Sequence, residues 1–439
     1  MAAVLTGFYL WSQSVWLPNR YFAHPPIYGK FVPVFTSWAL WLVPAGLFFA
    51  ATAWVVTSAR RVPSWLALSL IVVCGWVTSV AVNLVRGDPR ELYEGVSTGI
   101  GPYYTRDLHF VAQYGVRGFV ENYPSIVPAL YAYNAKTHPP GVQVFLSTIS
   151  NIVGDHPFGF TTILAVISLL AALGAYAMGR SYGGERSGRI AAVLAVAAPG
   201  PLMLAYTNMD VVFAAFFSIA AALFVVGARR RSLVLTAAAG AVLGAATFLT
   251  YATAFLALAA AIAIAVETRS VWHTFRLLVA AAVGGVAVLL VLRAGLGFDL
   301  WACYQAMRRS RGAYYPYWIV GSTGAWLMWA GLPLAALGLA GLVVKVPDAR
   351  RPVLPLVLIT GMFVWGMLPP VVTSLRQGEV ERTWAFLYPM AAAAAGPVIA
   401  KWTTSTRLTR WFTGSIIAIL VVLSIAQAGV LQALWDNLL

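Results

Sequence analysis

Apolar positions along this chain run together; they do not alternate with polar ones as in a half-buried strand. Such runs fall at roughly 35–57, 64–84, 158–178, 188–206, 209–227, 233–249, 251–267, 275–293, 323–344, 352–372, 384–400 and 411–434. About 20 apolar residues are what a helix needs to cross a bilayer, and a helix satisfies its own backbone there. The pattern predicts an all-α, polytopic transmembrane helix bundle of about 12–13 spans, residues 2–17 being the thirteenth candidate. No cleavage-site pattern follows 2–17, so it reads as an anchor or surface helix rather than a removed signal. At 15 residues, 139–153 is short for a crossing.

Composition supports this reading. Of 439 residues, 60% are hydrophobic and only 10% charged, against roughly 25% charged in soluble domains. No long polar segment interrupts the runs, which implies one membrane domain over 1–439. The net charge of +15 would suggest nucleic acid in a soluble protein; in a polytopic chain it reflects loop anchoring. The two cysteines, Cys74 in an apolar run and Cys303 in a predicted loop, give no disulfide framework.

Charge then orders the loops. If 139–153 lies re-entrant or flat at the surface, one side collects Arg60/Arg61, Arg180/Arg186/Arg189, Arg229–Arg231, Arg269/Arg276, Lys345/Arg350/Arg351 and Lys401/Arg407/Arg410. That side holds 16 Lys/Arg against three acids, and the other the remaining 13 Lys/Arg and 11 acids. A crossing at 139–153 would largely erase the bias, so the positive-inside rule favours no crossing and makes the basic side cytoplasmic. The outer side of the plasma membrane then carries a large first loop (85–137), a second loop (294–322) and nearly all the acids. Any chemistry is expected there.

Five polar clusters stand out on that side. In "YYTRDLHFVAQYG" a short amphipathic helix is expected along the interface, with Asp107 at its start as a cap or as a general base. In "NAKTHPPG" the prolines suit a helix start and hold Thr137 and His138 extended, presenting Lys136 and His138 at the bundle mouth. "TNMDVVF" sets Asp210 at the first turn of a span, where it is either a cap beside Asn208 or functional. "RQGEVERTW" places Glu379, Glu381 and Arg382 at another outer helix start, where an arginine suits a phosphate. Arg308, Arg309 and Arg311, mixed with tyrosines in "MRRSRGAYYPYW", suit an anionic lipid-linked or sugar-bearing ligand, or an aromatic belt. No HExxH, CxxC cluster, P-loop or GxSxG is present.

In this order and on one face, "YYTRDLHFVAQYGVRGFVENYP" (103–124), "THPPG" (137–141), "TNMDVVFAA" (207–215) and "GEVERTW" (378–384) resemble the GT-C superfamily of polytopic glycosyltransferases. The likeness is to the branch of protein O-mannosyltransferases and aminoarabinose transferases, most of all its actinobacterial members. It implies a polyprenyl-phosphate sugar donor of mannose or arabinose type and transfer outside the cytoplasm to a cell-envelope glycan, glycolipid or protein. It also implies catalytic acids among Asp107, Asp210 and Glu379. Donor contacts would come from Tyr104, Lys136, His138, Arg308, Arg309, Glu381 and Arg382. Family members often carry paired or DxD-like acids in the first loop; here Asp107 is isolated, so a divalent metal (Mg or Mn) is left open as a cofactor. The competing classes are a transporter or flippase of a lipid-linked saccharide and a non-catalytic assembly subunit. Against the former, the sequence shows no internal repeat, and its charges gather at one face rather than the midplane.

Overall fold

The computed structural model describes residues 30–59, 61–93, 104–154, 156–307, 318–347, 349–367, 380–401 and 407–436. The 2–17 segment, Arg308, Arg309 and Glu379 lie outside the described residues.

Each predicted apolar run is helical over most of its described length. In chain order the helices are α1 (Leu42–Ser58), α2 (Ser64–Asn83), α3 (Leu108–Ile126), α4 (Tyr133–Thr137), α5 (Gly141–Val153), α6 (Pro157–Leu169) and α7 (Ala171–Ala197). There follow α8 (Pro199–Leu204), α9 (Asp210–Arg230), α10 (Leu233–Thr247), α11 (Thr253–Thr268), α12 (Val271–Leu296) and α13 (Leu300–Met307). The last are α14 (Trp318–Ala330), α15 (Leu332–Val343), α16 (Val353–Met367), α17 (Val380–Thr383), α18 (Leu387–Lys401) and α19 (Arg407–Leu434). A two-residue antiparallel bridge, Lys30–Phe31 with Trp435–Asp436, ties the two ends of the described chain together. The chain is a multi-pass, all-α membrane protein.

By length and apolarity alone, six helical stretches among the described residues reach across a bilayer, and a bent pair makes a seventh. The other predicted runs are shorter. Helix α10, at 15 residues, is about 22 Å long, less than the roughly 30 Å hydrocarbon core. Small residues let these helices approach closely: a Cβ on Gly240 would meet the Ala281 carbonyl oxygen, and one on Gly284 that of Ala237, both at 1.9 Å. Two predicted runs share one long helix that doubles back. At Gly183 and Gly184 the α7 backbone leaves helical geometry, and its arms pack side by side, Gly179 against Ala191 and Gly188 against Tyr176.

The run at 323–344 is broken as well. At Gly331 (φ +79°) α14 and α15 meet at 107°. The backbone groups freed there are taken up by one side chain of α19: Gln427 Nε2 donates to the Met328 carbonyl (2.7 Å), and Leu332 N–H donates to Gln427 Oε1 (3.0 Å).

Helix α5 has both ends at the same end of the bundle. Its first residue bonds to Phe248 beyond α10. Its exit leads into α6, whose Phe158 stacks on Tyr206 just ahead of α9. Val142, Leu146 and Ile149 fill the space between with Phe160, Leu164, Val212 and Phe213. The 139–153 segment therefore stays at the end where α9 and α18 begin. At the opposite end Arg189 donates to the carbonyls of Val56 and Val62, and Arg229 pairs with Glu267 (3.2 Å).

Candidate functional site

Asp107 closes a 3-10 turn (Thr105–Asp107) and is completely buried. It does not cap the helix it precedes, as the sequence suggested. Instead Oδ1 accepts from the Tyr131 N–H (2.8 Å) and Oδ2 from the Ala132 N–H (2.9 Å), 24 and 25 residues along the chain. Both oxygens are thereby engaged by the backbone that leads into α4. The same segment is held from α3: Tyr123 Oη donates to the carbonyls of Ala135 (2.6 Å) and His138 (2.8 Å). The amphipathic helix expected after Asp107 is present and longer than predicted, running to Ile126 with a kink at Gly115 (φ +67°).

This scaffold delivers His138. Its backbone is extended (φ −117°, ψ 160°), as the following proline requires. The ring Nδ1 lies 2.8 Å from the Asn134 carbonyl, which assigns Nδ1–H as donor and leaves Nε2 as the acceptor of a neutral ring. Tyr104 Oη approaches both ring nitrogens (3.3 and 3.5 Å), and the ring tilts over Phe213 of α9 with centroids 5.5 Å apart. Burial pushes the imidazole below its ordinary range, against the opposing pull of nearby Asp210; Arg382 adds to the depression. The glycine that closes THPPG has a steric reason. The Gly141 N–H donates to the Phe248 carbonyl (3.0 Å), and a Cβ there would sit 2.1 Å from that oxygen.

Asp210 opens α9, and its own N–H is capped by Asn208 Oδ1 (2.8 Å). Its carboxylate Oδ2 accepts from Arg382 Nη1 at 2.9 Å, with Asp210 8% and Arg382 4% exposed. Arg382 comes from α17, 172 residues away. The corner that carries it is fixed by Trp326 of α14, whose Nε1 donates to the Trp384 carbonyl (3.3 Å) and whose ring stacks on Tyr388.

The structure thus brings Tyr104, His138, Asp210 and Arg382 together, with Asp107 one layer behind them. Lys136 points elsewhere: its Nζ reaches the Pro128 carbonyl (3.4 Å) at the protein surface. Glu381 lies in the α17 turn beside Arg382. The direct Asp210–Arg382 pairing goes beyond the sequence reading, although two opposite charges at the starts of apolar helices signal it, because a buried charge needs a partner. Tyr123 carries no such signal: nothing in its sequence context distinguishes it from a core tyrosine. In the upstream loop, Arg90 grips both oxygens of Asp88 and holds that exposed carboxyl below its usual range. Cys303, expected in a loop, is buried in α13. Among the described residues no three His, Cys, Asp or Glu converge to hold a metal ion.

Comparisons with known proteins fit this geometry. The sequence model of the family described as dolichyl-phosphate-mannose-protein mannosyltransferase matches residues 137–298, from the THPPG turn through α12. The fold resembles crystal structures of ArnT from Cupriavidus metallidurans. In the apo state the TM-score is 0.58 at 14% identity, covering 84% of this chain and 77% of that one. For ArnT bound to undecaprenyl phosphate it is 0.54 at 13% identity, covering 84% and 78%. The apo oligosaccharyltransferase of Archaeoglobus fulgidus aligns at a TM-score of 0.50 and 13% identity, over 84% of this chain and 56% of that one. No curated protein sequence matches the chain. The chain is a polytopic membrane protein whose fold resembles the GT-C fold of ArnT. The family model, matched over 162 of the 439 residues, points to the same class of membrane glycosyltransferases.

Proposed function

We propose that the protein moves a monosaccharide of mannose or arabinose type from a polyprenyl-phosphate donor to a hydroxyl of a cell-envelope acceptor. Transfer occurs on the outer side of the plasma membrane, with inversion at the anomeric carbon. The observation that carries this reading is the convergence of His138, Asp210 and Arg382 from three distant segments, beneath the scaffold built by Asp107 and Tyr123. The undecaprenyl phosphate bound to ArnT supports the lipid class of the donor.

In the reaction the bond from the anomeric carbon to the phosphate oxygen breaks, and its electron pair leaves with the polyprenyl phosphate. The acceptor oxygen forms the new bond, and its proton passes to a carboxylate. Arg382, aimed by Asp210, stabilises the charge growing on the leaving phosphate. Arg308 and Arg309 would extend the positive field toward the headgroup; Lys136, turned to the Pro128 carbonyl, takes no part. Tyr104, His138 and Glu381 offer hydrogen bonds to sugar hydroxyls. With both Asp107 oxygens occupied by backbone N–H groups, Asp107 suits positioning of the loop, and proton acceptance falls to Asp210 or Glu379.

The test is incubation of purified protein with radiolabelled polyprenyl-phosphomannose and polyprenyl-phosphoarabinose. Label appearing in an envelope acceptor, and lost with Arg382→Ala, supports the reading. Binding with neither transfer nor hydrolysis of any donor points to a flippase or an assembly subunit instead.

A further inference from the structure

At the basic end of the bundle, opposite the site above, a cavity of about 380 Å³ opens beside the α15–α16 connection. Its size falls in the range of small-molecule sites. One wall is apolar, from Leu342 and Val343 of α15 and from Ala394 and Pro397 of α18. The rim is basic: Lys345, Arg350 and Arg351 line it, all exposed. The connection is held in place, since the Arg350 N–H donates to the Tyr182 carbonyl (2.9 Å) where α7 doubles back.

The charge here is unbalanced. Two acids stand at this end among the described residues, and both are engaged elsewhere. Glu267 pairs with Arg229 (3.2 Å), and Glu185 with Arg180 (3.4 Å) and Arg189 (3.0 Å). No ion pair joins Lys345, Arg350 or Arg351 to a described residue. The acid between them in sequence, Asp348, lies outside the described residues; even counted in full it leaves this segment with a net charge of +2, from three cations and one anion.

We infer that this cavity binds the headgroup of an anionic phospholipid, its phosphate on the Lys345–Arg350–Arg351 rim and its first acyl segments along the Leu342–Ala394–Pro397 wall. The chemistry fits a lipid better than a free anion. Val343, at the mouth, is 76% exposed at the end of a hydrophobic helix, an apolar surface that suits acyl chains better than a free anion. Basic pockets between transmembrane helices on the cytoplasmic side are suited to such headgroups. The site is separate from the donor chemistry: α18 runs from the Arg382 corner to Lys401, and the cavity borders its far half.

The experiment is native mass spectrometry of the full chain released from nanodiscs holding equal phosphatidylglycerol and phosphatidylcholine of the same acyl chains. Phosphatidylglycerol should remain bound at collision energies that strip phosphatidylcholine. A K345Q/R350Q/R351Q variant should lower its retention roughly tenfold or more, given the usual contribution of each surface cation. Val343→Trp, which fills the mouth without changing charge, should lower it as well. Arg230→Gln with Arg231→Gln removes exposed charge from the same end outside the cavity and should leave retention unchanged. Equal retention of the two lipids, or equal loss with the Arg230/Arg231 variant, would overturn the proposal. So would displacement of the lipid by millimolar inorganic phosphate, which would make the rim a free-anion site.

Discussion

Replacing Arg382 with methionine removes the cation and keeps most of the side-chain volume. It leaves Asp210, 8% exposed, with its carboxylate facing a space built for a guanidinium 2.9 Å away. Breaking a buried pair by deleting one partner costs about 3–5 kcal/mol, because an uncompensated charge stays in a low-dielectric site. Replacing both members with apolar groups is often near neutral. Arg382→Met should therefore destabilise the purified protein by about 3–5 kcal/mol, and Asp210→Leu by a similar amount. The double variant should recover most of the loss, with a coupling of at least about 2 kcal/mol, well beyond the ~0.5 kcal/mol scatter of independent sites. Denaturant unfolding in one fixed detergent, followed by tryptophan fluorescence, reads all three. The transfer assay runs in parallel: the double variant should be stable and inactive, which separates the fold role of the pair from its chemistry. An Arg382→Met protein within about 1 kcal/mol of the parent, or additive single effects, would refute the argument that these groups form a desolvated pair.

Asp107→Asn should cost about 1–3 kcal/mol, because the amide nitrogen would face a backbone N–H that now donates to a carboxylate oxygen; faster proteolysis near residue 131 is the measure. Gly141→Ala should destabilise strongly and cut transfer, since its Cβ would lie 2.1 Å from the Phe248 oxygen; a thermal shift reads it. Gln427→Leu should lower stability by about 1–3 kcal/mol for each backbone group left bare at the Gly331 break, and amide exchange at Leu332 should rise. His138 is held below its ordinary range mainly by burial, so the unfolded chain takes up its proton first as pH falls. Stability should therefore be intact above the usual histidine range, near 6.5, and decline as pH drops through it. His138→Gln should flatten that slope in pH-dependent unfolding.

The loop chemistry was only half legible beforehand. "THPPG" declared an extended histidine ahead of a helix start, because proline constrains its predecessor whatever the tertiary setting, and the structure keeps that conformation. Asp107, by its local sequence, is a cap of the following helix or a general base. Nothing local says that its oxygens are taken by Tyr131 and Ala132, since that depends on how the chain returns beneath α3.

The sequence by itself determined the class of solvent, the helical state of every described apolar run, and the segregation of basic loops to one end. Those properties follow from residue-level transfer energies and from the backbone's need to bond to itself in lipid. Tertiary structure alone decided which helices are short, that α7 doubles back, that 323–344 breaks at Gly331, and that Asp210 meets Arg382 across 172 residues. A hydrophobic run records that it is buried in something apolar. It does not record whether lipid or another helix covers it, nor which distant charge stands opposite its first turn.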